Sequence, residues 1–112
     1  MSPIKPDGYH IHVYCDYSEI RSCNELRTRM VSELSEIDGA GPVRDRPVGP
    51  HPLPMFEAWF ASAHLDTVVR WILANRHQFS VLIHPLSGDD LADHRDHAIW
   101  IGKPLPLKLD IF

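Results

Sequence analysis

Eight histidines fall in a chain of 112 residues, and their spacing is what could do chemistry. His10 and His12 sit two apart in Tyr9-His10-Ile11-His12-Val13-Tyr14. His51 lies between Pro50 and Pro52, His84 precedes Pro85, and His94 follows Asp93. Neutral imidazole is a metal ligand and, near its own pKa, a proton donor or acceptor. Strand alternation and stiff proline turns can hold such rings in place. His64, His77 and His97 fall at helix ends or turns and read as solvated.

The elements that must position these rings follow from periodicity. Residues 9–15 alternate Ile11, Val13 and Cys15 with His10, His12 and Tyr14, the pattern of a half-buried strand. Asp16 and Glu19 form a capping-box pair that opens a helix, whose apolar stripe runs Cys23, Leu26, Met30, Leu34, Ile37 before Gly39 and Gly41-Pro42 end it. The proline-rich stretch 43–54 admits at most a short edge strand at Val43–Val48. Residues 55–61 form a strand with Phe56, Ala58 and Phe60 on one face and Met55, Glu57, Trp59 and Ala61 on the other. Ser62 caps a second helix to about residue 77, buried through Leu65, Val68, Val69, Ile72 and Leu73. A strand at 79–84, a polar turn at 87–90, a short strand at 98–102 and an apolar tail alternating from Leu105 complete the chain. The order β-α-β-β-α-β with a C-terminal extension predicts an α+β, ferredoxin-like fold, an antiparallel sheet with both helices on one face.

Composition narrows the function. The length suits a single domain over residues 1–112. A net charge of −4 without a Lys/Arg cluster argues against nucleic acid. Neither an apolar signal region at Met1–Gly8 nor a bilayer-length apolar run is present, so a cytoplasmic protein is expected. Cys15 and Cys23 read as packing residues, and no CxxC, Gly-rich phosphate loop or Ser-His-Asp order occurs.

In the predicted sheet the first strand is central. His10, His12, Tyr14, Glu57, Trp59, Leu82 and His84 then share the face opposite the helices. Two histidines with a carboxylate and open positions is the ligand set of non-haem Fe(II) oxygenases. The same residues could hold zinc and an activated water. A non-enzymatic metal- or small-ligand-binding module that dimerises through this face is the third reading. Arg44 and Arg46 could meet a substrate carboxylate.

At His10-Ile11-His12-Val13-Tyr14, Val48-Gly49-Pro50-His51-Pro52, Phe56-Glu57-Ala58-Trp59-Phe60, Ile83-His84-Pro85-Leu86-Ser87-Gly88-Asp89 through Asp93-His94, and Trp100-Ile101-Gly102, the chain resembles the DOPA 4,5-dioxygenase family. The resemblance covers about residues 8 to 104. It implies a ferredoxin-like homodimer holding non-haem Fe(II), with zinc or nickel able to take its place on purification. It further implies extradiol-type opening of a catechol such as DOPA by O2. The expected metal ligands are His12, His84, His10 and Glu57. His51 and His94 are the expected acid/base groups, and Trp59 and Tyr14 the substrate contacts.

Overall fold

The computed structural model of the chain describes residues 6–112. The first five residues, part of the run read as free of an apolar signal, lie outside them. The period-two run becomes strand β1 (Gly8–Tyr14). The Asp16 N–H donates to Glu19 Oε1 at 3.2 Å across a short 3-10 turn that leads into helix α1 (Ile20–Glu33). Strands β2 (Ile37–Ala40) and β3 (Met55–Ala61), helix α2 (Leu65–Asn75), strand β4 (Val81–Pro85), short helix α3 (Asp90–His94) and strand β5 (Ile99–Ile101) follow.

The sheet runs β2-β3-β1-β4-β5, and every neighbouring pair is antiparallel. Its first four strands have the split βαβ order expected from the sequence, and β5 lengthens the β4 edge. Ile11, Val13, Phe56, Ala58, Phe60, Val81 and Ile83 bury one sheet face against Cys23, Leu26 and Met30 of α1 and Val68 and Ile72 of α2. Both helices therefore cover the same face. Burying each large side chain there contributes roughly 1.5–3 kcal/mol.

The C-terminal segment covers part of the opposite face. Tyr14, Met55 and Leu82 form a second buried cluster there, and Leu105, Leu107 and Trp100 pack against it. The Lys108 N–H fastens the segment by donating to the Pro50 carbonyl at 2.8 Å. The tail alternation thus reads out as half-buried Leu105, Leu107 and Leu109, while Ile111 is exposed.

Several boundaries differ from the sequence reading. The helical stripe stops at Leu34, which is already extended (φ −108°, ψ 95°), and Ile37 belongs to edge strand β2 beside Phe60. An apolar residue at that spacing reaches the core equally well if the chain turns back as a strand. The proposed edge strand at Val43–Val48 reduces to one bridge, Arg44 with Met55, because the flanking prolines lack the N–H a ladder needs. Ser62 does not cap: its hydroxyl donates to the Pro6 carbonyl instead. Leu73 is exposed, leaving the buried stripe of α2 narrower than predicted. The polar turn at 87–90 continues into α3, capped by Asp89, whose carboxylate accepts from the Ala92 N–H at 3.1 Å. Cys15 and Cys23 are both buried and free, as expected of packing residues. Among the described residues no helix is long and apolar enough to cross a membrane.

Candidate metal centre

Register delivers the first part of the site. β1 sets His12 opposite Glu57 and His10 opposite Trp59 on β3, and sets His10 opposite His84 on β4. Opposed residues on paired strands share a face, so four metal-capable side chains converge without any help from loops. The Nε2 atoms of His12 and His84 stand 3.1 Å apart. Glu57 stands on the other side of the β1 pair, with Oε1 at 3.3 Å from His10 Nδ1 and Oε2 at 3.9 Å from His12 Nδ1.

Loops bring the remaining rings. Gly49, with φ +56°, makes the turn before His51, a conformation that suits glycine. His51 is buried, its ring centroid 4.2 Å from that of His12, and its Nδ1 lies 2.7 Å from the Tyr14 hydroxyl. Helix α3 carries His94 to within 4.1 Å of the His84 ring, centroid to centroid. Asp93 does not orient His94, although it precedes it in the chain. It is buried and accepts from the Ser87 N–H and hydroxyl, which ties the loop before α3 to the helix. His94 Nδ1–H donates instead to the Asp90 carbonyl at 2.7 Å.

Among the described residues two triads could hold an ion: His10, His12 and His84, and His12, His51 and His94, with ligand nitrogens within 4.8 Å of one another in each. Burial is the main force lowering the pKa of His12, aided by the neighbouring imidazoles. It takes His51 and His84 down to about 4, the Pro85 carbonyl partly opposing it at His84. These three rings are therefore neutral at pH 7, the form that binds metal. Burial raises the Tyr14 phenol beyond its ordinary range, so it keeps its proton.

Tautomers follow from the fixed partners. His84 Nδ1–H donates to the Pro85 carbonyl at 2.9 Å, leaving a lone pair on Nε2. Pairing the two Nε2 atoms by a hydrogen bond would put the His12 proton on Nε2 and leave its buried Nδ1 without a partner. A cation between the two lone pairs would instead leave His12 its proton on Nδ1, on the side of the Glu57 carboxylate, whose Oε2 stands 3.9 Å away. The outer N–H groups of His84 and His94, held by backbone carbonyls, are the usual support of metal-bound imidazoles. The residues present fit a metal ion.

The model of the Dopa 4,5-dioxygenase family matches residues 9–111. The chain belongs to that family. It is 34% identical over 110 residues to DOPA 4,5-dioxygenase of Amanita muscaria, an alignment covering 90% of this chain and 47% of the fungal one. It is 39% identical to an uncharacterized 21.2 kDa protein of Botryotinia fuckeliana, over 93% of this chain and 62% of that one. The chain thus spans about half to three-fifths of the length of these relatives. A solved structure from Nostoc punctiforme, described as a "putative dioxygenase", superposes with a TM-score of 0.85 at 32% identity, covering 94% of this chain and 90% of that one.

In this family member the fold gathers His10, His12, His51, His84, His94 and Glu57 around one cavity of about 240 Å³. Trp59 borders an adjoining groove and is partly exposed. Tyr14 is fully buried against Trp100, so it offers the site its hydroxyl, through His51, and not the face of its ring. His64 and His77 are exposed and His97 half-buried, all three outside the cluster. Sequence reasoning missed Phe112, whose ring lies 4.7 Å from that of His94 and walls the cavity. Phe112 falls outside the alternation of Leu105, Leu107, Leu109 and Ile111, so that pattern does not point to it.

Proposed function

We propose that the chain carries the active site of a non-haem Fe(II) extradiol-type dioxygenase that opens the ring of a catechol with O2. The observation that supports it best is the convergence of five imidazoles on one cavity in a member of the Dopa 4,5-dioxygenase family. His10, His12 and His84 would hold the ion, with Glu57 orienting His10 and His12 from behind. Bound there, iron would supply a template for catechol and O2 and a route for electrons between them.

The chain's own residues would handle the protons. His94 Nδ1–H is spent on the Asp90 carbonyl, so its Nε2 is free to accept a catechol hydroxyl proton. With the Tyr14 O–H donating to His51 Nδ1, the neutral His51 ring carries its proton on Nε2 and can hold a substrate oxygen through a hydrogen bond. Phe112 and Leu86 would limit water at the cavity, and Trp59 would meet the substrate from the groove. Pairing of two copies, implied by the resemblance, belongs to the same proposal and is read from the mass in solution.

Protein prepared without oxygen and loaded with Fe(II) is expected to take up O2 only when a catechol is added, forming a yellow ring-opened product. No uptake with a panel of catechols would sink the reading. Three imidazoles are also the donor set of a catalytic zinc site. Hydrolysis by the Zn(II)-loaded protein, without O2 uptake by the Fe(II) form, would favour that second reading.

A further inference from the structure

We infer that the groove between the 41–50 loop and strand β3 receives a side arm of the substrate, that this arm ends in a carboxylate, and that Arg44 is its counter-charge. The inference rests on the reading above that an aromatic ring binds at the histidines. The groove has a volume of about 550 Å³ and shares Pro50, His51 and Glu57 with the histidine cavity, so a molecule seated at the rings can extend directly into it.

Its walls suit such an arm. Pro42, Val48, Met55 and Trp59 supply apolar sides, and Arg44 is the cation among the described lining residues. Arg44 pairs with Met55 across an isolated bridge, which puts its side chain on the same face as Met55 and Glu57. Among the described residues no carboxylate lies within salt-bridge distance of its guanidinium. Glu57, the carboxylate of this groove, is already engaged by His10. Arg46 does not line the groove.

The rim is preorganised. Arg27 donates to the carbonyls of Ala40 and Gly41, holding the start of the loop. The Trp59 indole lies over Gly39, where a Cβ would sit 2.5 Å from Trp59 Cζ2. A planar guanidinium on a fixed rim can grip a carboxylate through two hydrogen bonds, which a neutral amide cannot match.

The test compares dihydroxyphenylpropionate with its primary amide, binding each anaerobically to the Fe(II)-loaded protein by calorimetry. The wild type is expected to bind the acid about tenfold or more tightly, the size of a hydrogen bond to a charged group. Arg44→Gln should abolish that preference, Arg44→Lys should retain part of it, and Arg46→Gln should leave it intact. Equal affinity in the wild type, a preference that survives Arg44→Gln, or no binding of either compound overturns the inference. A binding preference with no ring opening of any catechol in the panel once O2 is admitted would uphold it and sink the dioxygenase reading. Ring opening without a preference would do the reverse.

Discussion

His12 and His84 are diagonal neighbours on adjacent strands, and their Nε2 atoms stand 3.1 Å apart. That is the bite of two imidazoles on one ion: at metal–nitrogen lengths of about 2.1 Å, neighbouring ligands lie roughly 3.0–3.4 Å apart. His12→Ala and His84→Ala are each expected to weaken metal binding by about 100-fold or more, above the 10–100-fold typical of losing an outer partner. Exposed His64→Ala should leave it unchanged. Metal titration followed by elemental analysis reads the result, and unaltered binding in both site variants would refute the assignment.

Tyr14→Phe removes the partner of His51 Nδ1 inside a buried pair. The expected cost is about 1 kcal/mol of stability, or somewhat more because the imidazole nitrogen is left unsatisfied. Turnover should fall by about 10–100-fold, as it does when the group orienting a site histidine is lost. Metal content should not change. A variant with wild-type kcat would show that the hydroxyl does nothing for His51.

The metal-free protein should lose stability as acid is added. Folding lowers the pKa of His51 and His84 from 6.5 to about 4, mainly by burial, and His12 moves the same way. Between those values the unfolded chain holds protons that the folded chain does not, so stability rises with pH and falls as pH falls. Thermal melts should be level above about pH 6.5 and drop steadily towards pH 4. A flat Tm across that window would contradict the buried, neutral state of these rings.

Gly39→Ala would place a methyl 2.5 Å from the Trp59 ring. Either the indole swings away or strand β2 shifts, with an expected loss of about 1–3 kcal/mol, the usual range for overpacking. Denaturant melts measure the loss. Weaker binding of aromatic ligands in the same variant would tie the Trp59 position to the groove.

Much of the fold was legible because its signals are local. Alternation in β1 and β3 is a property of each strand by itself, and it assigned Ile11, Phe56 and Ala58 to the core and His12 and Glu57 to the other face. The element order then placed β1 between β3 and β4. Boundaries were less legible where two conformations satisfy the same burial. Ile37 reaches the core from a strand as it would from a helix, and Arg44 keeps one bridge between prolines that forbid more.

By itself the sequence determined which residue types could bind a metal and that strand register would gather His10, His12, His84 and Glu57, because a period of two and a strand order carry that information. Only the tertiary structure decided how the loop residues serve them. Asp93 turns to Ser87 and leaves His94 to the Asp90 carbonyl, Tyr14 gives its hydroxyl to His51, and Phe112 closes against His94. Adjacent residues in a chain can point anywhere a turn sends them, and contacts between distant segments depend on how each segment packs. No spacing in the sequence encodes those directions.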